Sequence, residues 1–347
     1  MSARIERLLG IRHPILLGAF GGLSSIELTA AVSDAGGLGQ YGLYGYSATR
    51  IHDTVAVLRT VTDAPFGLNL WLPTGDEVTP ESVDLGAVTA PLAPFYAELG
   101  MDAPAAPAAF LPPFEEQLEA VLEARPAVLS VVYGVPSAEV VAAAREHGIR
   151  VIGTATTVAE ARALAVGGVD AVIASGAEAA GHRVSFLRDA EDSLVGTLAL
   201  VPQVVDAVDV PVIAAGGIAD RRGVAAALAL GAEGVLVGTA FLATRQSAAT
   251  SAHRRAIAEA SDDGTVLTRA LSGRLARGIP NRAVRTIEQG GSIAPFPAQN
   301  WATGAFRAEA GRCDEGELLS LWAGQAAPLA RHADAGELFA ELAVGLG

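Results

Sequence analysis

The chain has 347 residues, 51% of them hydrophobic, and a formal net charge of −14; this suffices for one large α/β core, or for a barrel of about 250 residues with additions, and excludes a largely disordered chain. All 24 basic residues are arginine, which excludes a Schiff-base lysine, a pyridoxal phosphate anchor and a P-loop lysine, and the acidic balance leaves no basic stripe for nucleic acid. Cys313 is the single cysteine, so an intrachain disulfide and a cysteine zinc cluster are excluded as well.

The N-terminal MSARIERLLG lacks the apolar run of a signal peptide, and no stretch approaches the roughly 18 uninterrupted apolar residues of a membrane helix. A soluble cytoplasmic protein with no membrane partner is expected. PILLGAF (Pro14 to Phe20) reads as a buried strand, and Ser24 to Gly37 as a serine-capped helix with a glycine stop. GLGQYG, a helix from Thr49 to Val61, and the strand PFGLNLW (Pro65 to Trp71) repeat the pattern. Residues 72–113 then interrupt it. This stretch is rich in proline and alanine, holds a possible helix at Ala93 to Leu99, and reads as an excursion, a lid or a packing arm.

The alternation resumes with a helix Phe114 to Ala124, the strand VLSVVYG (Val128 to Gly134), and a helix Ser137 to His147. RVIGTA, a helix Val158 to Val166, AVIASG, a helix near Val195 to Val208, PVIAAGG, a helix Arg221 to Leu230, and GVLVGTAF complete it. About eight strands, each followed by a helix, predict a (β/α)8 TIM barrel over residues 1–260, with an insertion after strand 3. Residues 261–347 are expected to form a C-terminal extension packed on the barrel, with an amphipathic helix at Glu315 to Ala323 and two of the three tryptophans, Trp301 and Trp322.

In a barrel, chemistry sits at the C-terminal strand ends, which places Gly18, Asn69, Tyr133, Thr154, Ser175, Gly216 and Gly238 there. The glycines of PVIAAGGIAD and GVLVGTAF close strands seven and eight, where exposed N–H groups can cradle a phosphate and Thr239 can add a hydroxyl. Asn69 is a polar residue in an apolar strand, so it needs partners: a ligand edge or the neighbouring strand. Trp71 and Tyr133 are candidates for the substrate wall, with core packing as the alternative. His182, in SGAEAAGHR, is the one histidine approached by glycines at a strand end, and its near-neutral reference pKa suits proton transfer. Glu178, four residues earlier, could orient it or cap a turn, and structure is the favoured role. The remaining five histidines lie before Pro14, in an outer helix, at a helix end or in charged C-terminal segments. No metal-binding spacing is present, so no metal is expected.

Together, AAGGI with GTAF, the asparagine of GLNLW, GAEAAGH, and the tail segments SGRLARGIPNRAV, PFPAQN and LWAGQAA resemble the nitronate monooxygenase family, once called 2-nitropropane dioxygenases. The resemblance spans nearly the whole chain. It implies an FMN enzyme that oxidises alkyl nitronates, and neutral nitroalkanes in some cases, with dioxygen to nitrite and a carbonyl compound. It matches His182 to the histidine beside the flavin, a base for nitroalkanes and a positioning group for nitronates. Flavin contacts carry over to Asn69, Gly216, Gly217, Leu236, Val237, Gly238 and Thr239; Gly18, Ala19, Thr154, Ser175 and Ala180 complete the expected cofactor set. Two departures stand out: Ser175-Gly176 replaces the family's Gln-Gly, and Ala180 replaces a glycine, which matters if that position requires φ > 0. An NAD(P)H-dependent reductase of enoyl thioesters or quinones, and a flavin-binding protein without efficient turnover, are the alternative functions.

Overall fold

In the computed structural model, which describes residues 4–346, the apolar runs lie side by side as parallel strands: β1 Ile15–Leu17, β2 Gly39–Gly42, β3 Phe66–Trp71, β4 Val128–Val132, β5 Arg150–Ala155 and β6 Ala171–Ser175. A two-residue strand, β7 Gly181–His182, stands apart, and β8 Val212–Ala215 and β9 Gly234–Val237 complete the set. The spatial order is β1-β9-β8-β6-β5-β4-β3-β2. Leu17 N–H donates to Leu38 O at 2.9 Å and Leu38 N–H to Ile15 O at 3.0 Å, which joins the two ends. The molecule is a (β/α)8 barrel, as the alternation predicts. Such strands are covered on both faces, which is why they read as continuous Val, Ile, Leu and Ala.

An N-terminal helix not foreseen from the sequence, α1 Arg4–Leu9, inserts Ile5 and Leu9 against the interior residues Leu16, Leu38, Ile152, Ile173 and Ile213. It plugs one end of the barrel. The following helices are α2 Ile26–Asp34 and α3 Ala48–Val61, then α4 Leu85–Thr89 and α5 Ala93–Glu98 in the excursion, and α6 Phe114–Ala124, α7 Ala138–Glu146, α8 Val158–Val166, α9 Thr197–Val205 and α10 Arg221–Ala229. Most start where a short polar side chain accepts from the first turn: Ser25 from Leu28 N–H, Ser47 from Arg50 N–H, Ser137 from Val140 N–H and Thr157 from Glu160 N–H. Helix α9 follows Gly196 and has no cap of its own. Its first amide is satisfied from the site, as described below.

The C-terminal part contains α11 Thr239–Leu242, α12 Ser251–Ala258, β10 Val266–Thr268, β11 Ala276–Gly278, α13 Arg282–Gly290, α14 Ala298–Arg312 and α15 Ala335–Leu342. Helix α15 buries Leu338, Phe339 and Leu342 against α2 and α10, so the last helix of the chain closes the ring of barrel helices. The excursion is a packing arm. Its Leu92, Phe95 and Tyr96 share a second core with Ala302, Phe306 and Ala310 of α14, with the Phe95 and Phe306 rings 5.1 Å apart and Tyr96 O–H donating to Ala302 O at 2.9 Å.

The helix expected at Glu315 to Ala323 does not form. Only Gly316–Leu318 makes a single 3-10 turn, and Trp322 then bridges Gly278 in extended form. Tertiary partners take the backbone groups that a helix would need: Asn281 Nδ2 donates to Gly316 O and Leu319 O, each at 2.8 Å, and Ile279 N–H donates to Leu321 O at 2.8 Å. Amphipathic spacing here reflects burial between two elements rather than a helical face.

The arm is also clasped electrostatically. Arg274 Nη2 donates to Thr74 Oγ1 at 2.6 Å, Asp76 Oδ1 at 2.8 Å and Glu77 Oε1 at 3.0 Å. Burial alone would raise the Glu77 carboxyl, but hydrogen bonds from Thr74 and Arg274 outweigh it and hold it at about 2. Stability from this depressed carboxyl is complete above the ordinary value near 4.5 and is lost as pH falls toward 2. Glu77→Gln is therefore expected to lower the melting temperature at neutral pH, with the gap to wild type closing in thermal melts between pH 4.5 and 2.

Candidate active site

The loop after β6 is fastened from several sides. Arg183, buried just past His182, donates through Nη1 to Gly176 O at 2.7 Å and through Nη2 to Ser175 O at 3.0 Å. Arg277 Nε donates to Ala177 O at 2.8 Å. The Glu178 carboxylate accepts from Thr197 N–H and Oγ1, at 2.9 and 2.8 Å, and so caps the otherwise uncapped α9. Glu178 is thus a turn and helix cap and does not touch His182. Farther on, Glu160 Oε1 accepts from Phe186 N–H at 2.7 Å. The backbone that carries His182 has little freedom.

Gly181–His182 forms β7, which pairs antiparallel with β11 of the C-terminal part, His182 opposite Ala276. The imidazole Nε2 lies 2.9 Å from Ser272 Oγ, and Ser272 in turn donates to Arg274 O at 3.1 Å. Its ring meets Trp71 edge-on at 5.0 Å and Trp322 at 5.6 Å. Burial first, then the guanidinium charges of Arg274 and Arg307, push the imidazole down to about 3. These surroundings favour the neutral imidazole. A group held neutral in this way stabilises the fold fully above its ordinary 6.5 and loses that contribution as pH falls through 6.5 toward 3.

With its proton on Arg274 O, Ser272 accepts from Nε2–H; with that proton turned away from Arg274 O, it donates to Nε2 instead. Nδ1 therefore offers the cavity a lone pair in one tautomer and an N–H in the other. Ser272→Ala removes that choice: kcat/KM is expected to fall about 3–10-fold. Steady-state kinetics with Ser272→Thr as the restoring variant checks this positioning role.

These residues border a cavity of about 480 Å³ at the C-terminal strand ends. Gly18, Ala19, Asn69, Trp71, Thr154, Ser175, Ala180, His182, Gly216, Gly217, Leu236, Gly238 and Thr239 all line it. Val237 and Tyr133 do not. Val237 points into the barrel-to-helix core, and only its carbonyl is nearby, accepting from Gly18 N–H at 2.9 Å. Tyr133 backs Trp71, ring centroids 5.0 Å apart, beneath the Arg274 guanidinium at 4.5 Å, with φ of 71°. Core packing is its role in this structure, one layer behind the wall.

Each end of the cavity has its own chemistry. At β8 and β9, the N–H groups of Gly216, Gly217, Gly238 and Thr239 have no acceptor among the described residues. Gly216 and Gly217 have φ of 103° and 72°. A Cβ at Gly216 would come within 2.9 Å of Thr197 Oγ1, so glycine is required for both conformation and space. The Thr239 hydroxyl accepts from Gly324 N–H at 2.9 Å and keeps its proton for the cavity. Such a set of donors could hold an anion such as a phosphate. Toward the barrel axis, Asn69 Nδ2 donates to Ser130 O and Oγ, both at 3.1 Å, which commits the amide nitrogen and leaves Oδ1 as an acceptor. Both readings of Asn69 thus hold at once, one per end of the amide. The positive φ in the histidine motif falls on Gly181, at 72°, and not on Ala180. Ala180 therefore carries no strain.

Several lining residues were not anticipated: Gln40, Tyr44, Phe296, Asn300, Arg307 and Trp322. Gln40 sits inside the strand GQYG, a polar signal of the same kind as Asn69. The others come from the tail or a loop. His253, set aside from sequence, braces the tail: it is buried, and its Nε2 lies 3.0 Å from Trp322 O. Among the described residues, no cluster of three His, Cys, Asp or Glu is placed to hold a metal ion, and no helix is long and apolar enough to cross a membrane.

A parallel eight-stranded barrel with a cavity at its C-terminal strand ends and a glycine cradle on two successive strands defines a barrel enzyme of the cofactor-binding kind. The nitronate monooxygenase family model matches residues 2–345. A protein of Staphylococcus saprophyticus named probable nitronate monooxygenase is 37% identical over 338 residues, covering 96% of this chain and 95% of that one. Nitroalkane oxidase from Streptomyces ansochromogenes superposes with a TM-score of 0.88 at 36% identity, covering 99% of this chain and 97% of that one. FabK from Thermotoga maritima superposes with a TM-score of 0.77 at 30% identity, covering 99% and 95%. The chain belongs to the nitronate monooxygenase family. It is a flavin-dependent oxidoreductase that acts on a small molecule.

Proposed function

We propose that this protein holds FMN in the cavity and oxidises anionic alkyl nitronates with dioxygen, releasing nitrite and a carbonyl compound. The four free amides, with the Thr239 hydroxyl, suit a single terminal phosphate, and Asn69 Oδ1 and the Ser175 hydroxyl, on the same cavity, suit the polar edge of a ring. When bound, the flavin supplies the electron transfer that none of these side chains can perform.

The observation that carries the choice of substrate is the setting of His182, packed against Trp71 and Trp322 with the guanidinium charges of Arg274 and Arg307 acting on it. It is buried, neutral and pushed down to about 3. A weak base of this kind is poorly matched to removing a proton from carbon, because base catalysis is best when the pKa lies near the working pH. A nitronate arrives already deprotonated. In the tautomer in which Ser272 turns its single proton from Arg274 O to Nε2, His182 presents Nδ1–H to the anion. Trp71, Trp322 and Phe296 line the cavity around it, and an apolar wall strengthens such a hydrogen bond.

The test is anaerobic mixing of the flavin-loaded protein with propionate 3-nitronate and, separately, with NADH, followed by nitrite and oxygen measurements in air. Flavin reduction by the nitronate, with nitrite release on aeration, is expected. Rapid bleaching by NADH without nitrite release would replace the proposal with a nicotinamide-dependent reductase, and a flavin inert to both would point to a binding protein.

A further inference from the structure

Arg307, on α14, brings a positive charge to the cavity wall without a counter-ion. Nη2 donates to Asn300 O at 3.1 Å and to Asn300 Oδ1 at 2.7 Å, and Nη1 donates to Ser320 Oγ at 2.5 Å. Nε is buried and finds no acceptor. A guanidinium has five N–H donors, so two remain uncommitted. Arg307 belongs to no ion pair among the described residues, and burial lowers its guanidinium to about 10, which leaves it charged at neutral pH. Glu77, close to Tyr44, is engaged with Arg274, and Glu178, on the cavity lining, with Thr197.

The neighbours extend this donor surface. Asn300 Nδ2 donates to Tyr44 Oη at 2.9 Å, and the Tyr44 ring lies 4.4 Å from Trp71. Burial pushes the Tyr44 hydroxyl up to about 12, so it stays protonated and its own O–H is free. Tyr44, Asn300 and Arg307 all line the cavity, as do Trp71 and His182, while the glycine cradle belongs to β8 and β9. A buried cation without a partner is costly, and an anion entering beside it offsets that cost. The planar fork of arginine matches planar groups that present two oxygens, which describes both a carboxylate and a nitronate.

We propose that Arg307, held by Asn300 and assisted by the Tyr44 hydroxyl, is the receptor in this cavity for a planar two-oxygen anion of the substrate. The substrate is then an anion in its bound form, and the group recognised is either the nitronate head or a carboxylate on its tail. Its identity as a nitronate rests on the function proposed above; the anion site does not.

The experiment compares flavin-loaded wild type, Arg307→Met and Arg307→Lys. Propionate binding is read from the flavin difference spectrum without turnover, and KM is measured with ethyl nitronate and propionate 3-nitronate. A tail receptor predicts that Arg307→Met weakens propionate and propionate 3-nitronate by about 10–100-fold, with ethyl nitronate unaffected. A head receptor predicts an equal rise in KM for both nitronates; either result supports the site. Arg307→Lys keeps the charge without the fork and is expected to fall between the two. Wild-type affinity for every anion in a folded Arg307→Met protein overturns the proposal, as does a change confined to flavin affinity. If Arg307→Met does not fold, unchanged anion affinity in Arg307→Lys overturns it and weakened affinity supports it. If wild type releases no nitrite yet binds propionate through Arg307, the nitronate reading fails and the receptor stands.

Discussion

Replacing His182 by asparagine is expected to lower turnover of nitroethane, already slow in wild type, by about 10–10²-fold, the low end for a general base because this imidazole is a weak one, and turnover of ethyl nitronate less, with flavin still bound. The two substrates are the protonated and deprotonated forms of one compound, so their comparison isolates the proton. Asparagine keeps a hydrogen-bonding group near Ser272 but cannot accept a proton from carbon. In wild type the nitronate should already be much the better substrate, because an imidazole at about 3 is a weak base. For the same reason kcat/KM for the nitronate should show no inflection near pH 6.5, where an ordinary histidine titrates. Oxygen consumption and nitrite release, with flavin content from absorbance, give the answer. Undiminished nitroethane turnover in His182→Asn would remove the catalytic role.

The second large effect is expected at the cradle. Gly216→Ala places a methyl within 2.9 Å of Thr197 Oγ1 and 3.2 Å of both Ala179 N and Gly176 O. Thr197 cannot easily yield, because its hydroxyl is tied to Glu178 and its amide is capped by the same carboxylate. At φ of 103° the alanine also incurs left-handed strain, about 1–2 kcal/mol. The amides of Gly216 and Gly217 then shift, and retained flavin is expected to fall at least tenfold. Gly231→Ala is the control: φ is 94° and the new Cβ would meet Val205 Cγ1 at 3.0 Å, away from the cavity. It should melt lower yet keep its flavin. Equal loss of flavin in both variants would show that general strain, not the cradle, is responsible.

The residues that could be read from the sequence share one property: their chemistry is local. The glycines after β8 and β9, Asn69 in an apolar strand, and His182 behind its glycines are each anomalous against their own neighbours. Barrel topology then converts position along the chain into position in space, since every β6, β8 or β9 end must reach the same face. Ser272, Arg274, Asn300 and Arg307 carry no such mark. They lie in a tail whose loops and turns have no period, and their role exists only because β11 pairs with β7 and α14 packs on the excursion.

The same contrast explains the elements. Strand and helix alternation from Pro14 to Phe241 follows from runs of Val, Ile and Ala broken by capping residues and glycines, so the barrel, and the position of these glycines and of His182 on one cavity at its mouth, were set by the sequence alone. Amphipathic spacing at Glu315 to Ala323 was misleading, because Asn281 and Ile279 claim its backbone from 35 or more residues away. Whether Ala180 strains the motif, where Glu178 sends its carboxylate, and what drives His182 down to about 3 were decided only in three dimensions. The cause in each case is long-range contact: burial and the field of distant charges are properties of the packed molecule, and no single segment carries them.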